Sequence, residues 1–411
     1  MLQPRGVTTT RKLVLLGSLY FAQGLPYGFF TVALPVLLRE QGMALPLIGL
    51  ANLLVLPWAL KFAWAPLVDG VRAPRFGRRR AVIVPLQLAT CAVRAALALA
   101  ASPSALWALA AGVLLVNLFA ATQDIATDGL AVEVLQPAER GLANGLQVGA
   151  YRAGMIIGGG LMLVVFEAAG WTAAFVSMSA LVAATTVPVF LHRERPRPAP
   201  AQVVARRPFG AALGAALARP GLRRWLVVVA MYKAGEWFAS VMLRPFFVDQ
   251  GQSLGDIGQI LGFAGSGAAL LGAAIGGLAM RRLGRRRALV AFGALQTLAI
   301  SSIVLAVQFP SVPMFYAVVA VEHFTSSLAT TALFTAMMDF CRTDAEGTDY
   351  TVQASVVVIA SGATSLLSGV SAEAIGYGPH FLASGGLSLI AVLVVLAYRP
   401  SDPSYELVGP Q

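Results

Sequence analysis

Charged side chains inside long apolar runs are the residues in this sequence best placed to do chemistry. Lys61, Arg94, Asp124, Asp128, Arg152, Lys233, Glu236, Arg244, Glu322 and His323 all interrupt otherwise apolar stretches. A charge surrounded by hydrocarbon is expensive, so such residues face a cavity or a partner and mark paths for ions or solutes. Asp124 and Asp128 are four apart, which puts both on one face of a helix. Two carboxylates held so close titrate as a pair, which suits a proton carrier. The same pair suits a structural ion pair with Lys61 or Arg152. Arg152, beside Tyr151, stays charged and needs a carboxylate, a phosphate or a substrate anion. Lys233 and Glu236 are three apart and can pair with each other. Glu236 is the first choice for a titrating site in the second half, with Glu322 next. His323 reads as a proton shuttle or, more readily, as a hydrogen-bonding strut. Gln23, Tyr27, Asn117, Gln123 and Gln147 supply polar atoms at similar depth. The expected polar pathway is therefore Gln23, Tyr27, Lys61, Asp124, Asp128, Tyr151, Arg152, Lys233, Glu236, Glu322 and His323.

Other chemistries lack their residues. No Gly-x4-Gly-Lys-Ser/Thr loop is present to cradle the phosphates of ATP. No Cys/His cluster has metal-ligand spacing. Gly265-Ser266-Gly267 lies in an apolar run and reads as helix packing rather than a hydrolase elbow. The expectation is no enzyme, no cofactor and no metal, with any concentrative transport driven by an ion gradient.

The elements that must position these residues follow from composition. The chain has 411 residues, 57% hydrophobic and 12% charged, with a mean hydropathy of +0.75. Soluble domains carry about 25% charged residues, so this surface fits lipid rather than water. The net charge of +11 does not point to nucleic acid, because the arginines form short clusters between apolar spans. Cys91 and Cys341 build no disulfide framework. Arg5, Arg11 and Lys12 precede an apolar stretch too long for a signal peptide, which reads as the first span.

Twelve apolar spans are expected near 13–38, 46–68, 81–101, 105–128, 142–166, 171–191, 222–248, 256–280, 288–308, 312–338, 350–372 and 379–398. Arginines crowd the loops after spans two, six and eight. The intervening loops at Ser102–Ser104, Glu167–Gly170, Phe309–Pro313 and Tyr377–His380 hold no Lys or Arg. By the positive-inside rule both termini and the basic loops are cytoplasmic. The charged, Pro-rich stretch from His192 to Pro200 opens a linker over 192–220, dividing the chain into six-helix bundles at 1–191 and 221–411. The halves echo each other. Phe76-Gly77-Arg78-Arg79-Arg80 recurs as Leu283-Gly284-Arg285-Arg286-Arg287, 207 residues later. Pro46-Leu47-Ile48-Gly49-Leu50 recurs loosely as Gly255-Asp256-Ile257-Gly258-Gln259. A repeat at half-length fits two bundles related by an axis along the membrane normal.

Ala65-Pro66-Leu67-Val68-Asp69 through Phe76-Gly77-Arg78-Arg79-Arg80 resembles the loop signature of the major facilitator superfamily. That resemblance implies a cytoplasmic gate latch at Asp69, Gly77, Arg78 and Arg79. The second copy lacks the Asp. Leu60-Lys61-Phe62-Ala63-Trp64, Ala121-Thr122-Gln123-Asp124-Ile125-Ala126-Thr127-Asp128, Glu139-Arg140-Gly141, Gly149-Ala150-Tyr151-Arg152-Ala153-Gly154 and Gln23-Gly24-Leu25-Pro26-Tyr27-Gly28 resemble the AmpG-like branch. The branch includes muropeptide permeases, acetyl-CoA transporters and siderophore permeases. It implies a monomeric, proton-coupled importer of the bacterial inner membrane, with a small-molecule substrate of the muropeptide or siderophore class and alternating access. An efflux antiporter and a non-transporting receptor or scaffold are the rival readings.

Overall fold

The computed structural model describes residues 8–40, 54, 56–71, 73, 76–100, 106–192, 194, 221–343 and 345–398. Among them every regular element is helical. Helix α1 (Thr9–Gly28) continues through a π turn (Phe29–Ala33) and Leu34–Glu40. Then come α2 (Leu56–Leu60), α3 (Ala65–Asp69), α4 (Arg80–Ala100), α5 (Leu106–Val134) and α6 (Pro137–Ile156). A second π turn (Ile157–Leu161) joins α6 to α7 (Met162–Leu191). Next are α8 (Leu222–Tyr232), α9 (Ala234–Asp249), and a π turn (Gly258–Gly265) leading into α10 (Ser266–Leu283). The chain ends with α11 (Arg285–Gln308), α12 (Val312–Asp339), α13 (Glu346–Ile375) and α14 (Tyr377–Ala397).

Among the described residues, ten stretches are long and apolar enough to cross a bilayer. About 20 residues at 1.5 Å rise span the hydrocarbon. A helix is favoured there because it satisfies its own backbone polar groups. The stretch Pro137–Leu191 holds two of the expected spans, separated where Gly170 leaves helical geometry (φ 80°, ψ −177°). Of the second expected span, only residues 54 and 56–68 are described. Arg72, Arg75, the Ser102–Ser104 loop and nearly all of 192–220 lie outside the described residues.

The chain forms two compact units. The first comprises Met1–Leu135, Ala150–Ala212 and Cys341–Thr351; the second comprises Gln136–Gly149, Leu213–Phe340 and Val352–Gln411. Helix α6 therefore begins in the second unit and ends in the first, and α13 does the reverse. In the first unit, Gly24 and Gly28 of α1 lie against the backbone of Tyr151, Gly154 and Met155, while Gly158 lies against Leu25. Glycines four apart let two backbones approach closely, the small-residue packing of membrane helices. In the second unit, Gly272 and Gly276 of α10 meet Phe324 and Leu328 of α12 in the same way. An aromatic cluster of Phe246, Phe247, Phe315 and Phe381 fills its core. Leu99, Phe263 and Leu366 stand more than 80% exposed, as lipid-facing side chains do.

The repeat reaches the backbone. Gly77 and Gly284 have φ of 87° and 72°, and Gly170 and Gly376 have φ of 80° and 78°. These left-handed positions open helices α4, α11 and α14 and the second part of α7, and a Cβ there would be strained.

Candidate functional site

Lys61 occupies a short 3-10 turn (Lys61–Ala63) between α2 and α3. The residue is 3% exposed, and its ammonium forms an ion pair with Asp124 of α5. Asp128, one turn further along α5, lies 4.0 Å from the same nitrogen. Tyr20 of α1 donates to Asp128 Oδ1 at 2.9 Å. All four side chains are buried. Two carboxylates thus share one cation, and a single proton would neutralise the set. Trp58 flanks it, with Lys61 Nζ 5.7 Å from its ring centroid and its indole N–H donating to Asn117 Oδ1 at 3.3 Å. Tyr27 stands edge-on to Trp58 at 6.3 Å and lies 5.8 Å from Tyr151. Gln23 is 1% exposed. The site gathers Lys61, Asp124 and Asp128, with Tyr27 beside Trp58 and Tyr151 beside Tyr27. Arg152 is half-buried on α6, and no ion pair joins it to either aspartate.

Sequence reasoning missed Tyr20 and Trp58. Tyr20, Gln23 and Tyr27 recur at helical spacing on α1, and Trp58 precedes Lys61 by three. That periodicity was the available signal.

In the second unit, Lys233 breaks the helix between α8 and α9 (φ −106°, ψ −3°). It forms an ion pair with Glu236 and donates to Thr330 Oγ1 at 2.8 Å. Gln296 of α11 donates to Glu236 at 2.5 Å. Along the same two helices, Ser240 of α9 donates to Glu322 of α12 at 3.4 Å, and His323 Nδ1 lies 2.5 Å from Glu322. Arg244, expected at depth, is exposed: it lies one turn from the end of α9, where a long side chain reaches the interface.

Two further ion-pair clusters stand at helix ends. Arg79 is fully buried and binds Asp69 and Glu133, both at 2.6 Å. Burial opposes its charge, but Asp69 and Glu133 outweigh this and hold its pKa above the ordinary value. Arg78 contacts Glu133 at 2.5 Å and Glu346 at 3.1 Å. Asp69 also accepts from Thr348 N–H and hydroxyl at 2.6 and 2.5 Å. Glu194 accepts from the backbone N–H groups of Arg79 and Arg80 at 3.1 and 2.6 Å, an anion at the start of α4. In the second unit, Asp339 binds Arg140 and Arg285, both at 2.6 Å.

A profile described as Major Facilitator Superfamily matches residues 16–363 and again 271–410. The chain belongs to the major facilitator superfamily. It is a multi-pass membrane transporter of that family rather than an enzyme. The anhydromuropeptide permease of Escherichia coli K12 is 27% identical, over 97% of this chain and 80% of the permease. The putative transporter AmpG 4 of Rickettsia conorii is 23% identical, over 91% of this chain and 93% of its own. Among solved structures, the human organic anion transporter MFSD10 superposes with a TM-score of 0.76 at 18% identity, covering 96% of this chain and all of that one. The AmpG-like resemblance of the motifs thus extends over nearly the whole chain. The Lys61 cluster is a buried group of three charges within the first unit.

Proposed function

We propose that the chain is a proton-coupled importer of the bacterial inner membrane that carries a muropeptide-class solute by alternating access. The observation that carries this reading is the buried trio of Lys61, Asp124 and Asp128, in which one carboxylate has no cation of its own. Taking up a proton cancels the surplus negative charge, so occupancy by a proton and the stability of one conformation are linked. Tyr20 and Tyr151 are further titratable groups facing the trio. The cargo class follows the likeness to an anhydromuropeptide permease. In this reading Gln23, Tyr27, Tyr151 and Arg152 complete the pathway in the first half, with Lys233, Glu236, Glu322 and His323 in the second. Asp69, Gly77, Arg78 and Arg79 latch the gate. The working arrangement is a monomer of two six-helix bundles, 1–191 and 221–411, joined by a 192–220 linker, with both termini cytoplasmic.

The test is accumulation of labelled anhydromuropeptide in proteoliposomes across a pH step. Uptake against its own gradient only when the outside is acid supports the reading. Accumulation that ignores the pH step removes proton coupling, and accumulation of a ferric siderophore instead changes the cargo.

A further inference from the structure

Arg94 sits in the middle of α4 and is 2% exposed. Neither Nη1 nor Nη2 has a hydrogen-bond partner among the described residues. No carboxylate pairs with it in that set. Cys91 stands one turn earlier on the same helix, with its sulfur turned to the carbonyl of Ser179. A buried guanidinium cannot shed its charge, and a bare charge in an apolar site is costly.

Arg94 lines a small cavity inside the first unit. Phe29, Phe30, Val113, Phe175 and Met178 form its apolar wall. Asn117 of α5 is the other polar lining residue. Its oxygen already accepts from Trp58, which leaves the amide nitrogen as the free group, and that nitrogen has no partner either. The unsatisfied polar atoms at the cavity are therefore all donors, together carrying one positive charge.

We infer that Arg94 and Asn117 form a carboxylate-binding subsite within the first unit. A guanidinium holds a carboxylate through parallel N–H donors, and the charge assistance makes such bonds strong. The single positive charge balances a monoanion; a phosphate dianion would leave net negative charge in an apolar cavity. The aromatic and aliphatic wall suits the carbon skeleton next to a carboxylate. Asn117 lies seven residues before Asp124 on α5, about 10 Å along the helix. Trp58 links the two places, touching Asn117 on one side and Lys61 on the other. The subsite deepens the reading of the chain as a solute carrier, since it would seat the acidic group of the cargo. Its test measures binding alone and so stands apart from proton coupling and direction.

Propionate is the probe, added to the purified full chain in detergent, with melting followed against chloride at equal ionic strength. The wild type is expected to gain thermal stability in a saturable way. Arg94→Gln should need at least about tenfold more propionate for the same shift. In chloride Arg94→Gln should melt no lower than wild type, because it removes an uncompensated charge, whereas loss of a structural strut would lower it. Asn117→Asp keeps the acceptor for Trp58 and supplies a carboxylate to the cavity. It should raise the melting temperature without propionate and abolish the response. No response of the wild type, or equal responses of wild type and Arg94→Gln, would overturn the inference. Stabilisation by phosphatidylglycerol but not by propionate would also overturn it and assign the charge to a lipid phosphate.

Discussion

Glu133 and Asp339 stand 206 residues apart in the chain and hold opposite arrangements of charge. Each ends a long helix of its unit, α5 or α12. Glu133 shares the buried Arg79 with Asp69, and the same cluster includes Arg78 and Glu346. Asp339 stands between Arg140 and Arg285. The partners follow the repeat as well, since Arg140 and Glu346 are also 206 apart. One cluster gathers three carboxylates on two arginines; the other gathers two arginines on one carboxylate.

That difference predicts unequal responses to losing an arginine. Arg79→Ala removes the guanidinium that Asp69 and Glu133 share, and taking one partner out of a buried ion-pair cluster costs about 3–5 kcal/mol. Arg285→Ala leaves Asp339 still paired with Arg140 and should cost under about half as much. Melting temperatures of the two variants in detergent decide the point; equal losses would refute the asymmetry.

The Lys61–Asp124 pair gives a prediction that separates stability from transport. Lys61→Leu strands two carboxylates and should lose about 3–5 kcal/mol. Adding Asp124→Leu should recover most of that loss, because an apolar pair replaces a buried ion pair at little net cost. Neither variant should accumulate solute. A double variant no more stable than the single one would show that the pair is not coupled as the geometry implies.

Asp124→Asn should abolish gradient-driven accumulation while leaving the chain folded and able to exchange solute across the membrane at equilibrium. The amide keeps the shape and cannot carry the proton. Exchange and accumulation are measured in the same proteoliposomes. Accumulation at the wild-type level would remove Asp124 from the coupling path.

Two neighbouring glycines should behave differently. A Cβ on Gly158 would strike the backbone of Leu25, which cannot turn away, whereas a Cβ on Gly160 meets nothing within 4 Å. Gly158→Val should therefore cost about 1–3 kcal/mol, and Gly160→Val should be close to neutral. Comparable melting temperatures would argue against close packing of α1 on the second π turn.

The sequence by itself determined the fold class, because too few charges and long apolar runs leave helices in lipid as the stable solution. It also marked the ionisable residues, since a charge inside such a run stands out whatever its partner. The Lys233–Glu236 pair was readable from a spacing of three, because helix geometry alone brings those groups together. Partners from other helices were not readable. Asp124 had both Lys61 and Arg152 as candidate cations, and only the packing of α5 against the turn at Lys61 chose between them. Tyr20, Glu194 and Thr348 found acceptors or donors far along the chain, which no local pattern encodes. Arg94 looked like any other membrane arginine. The tertiary structure alone shows it beside a cavity with no carboxylate paired to it among the described residues, because the lack of a partner depends on every helix that packs around it.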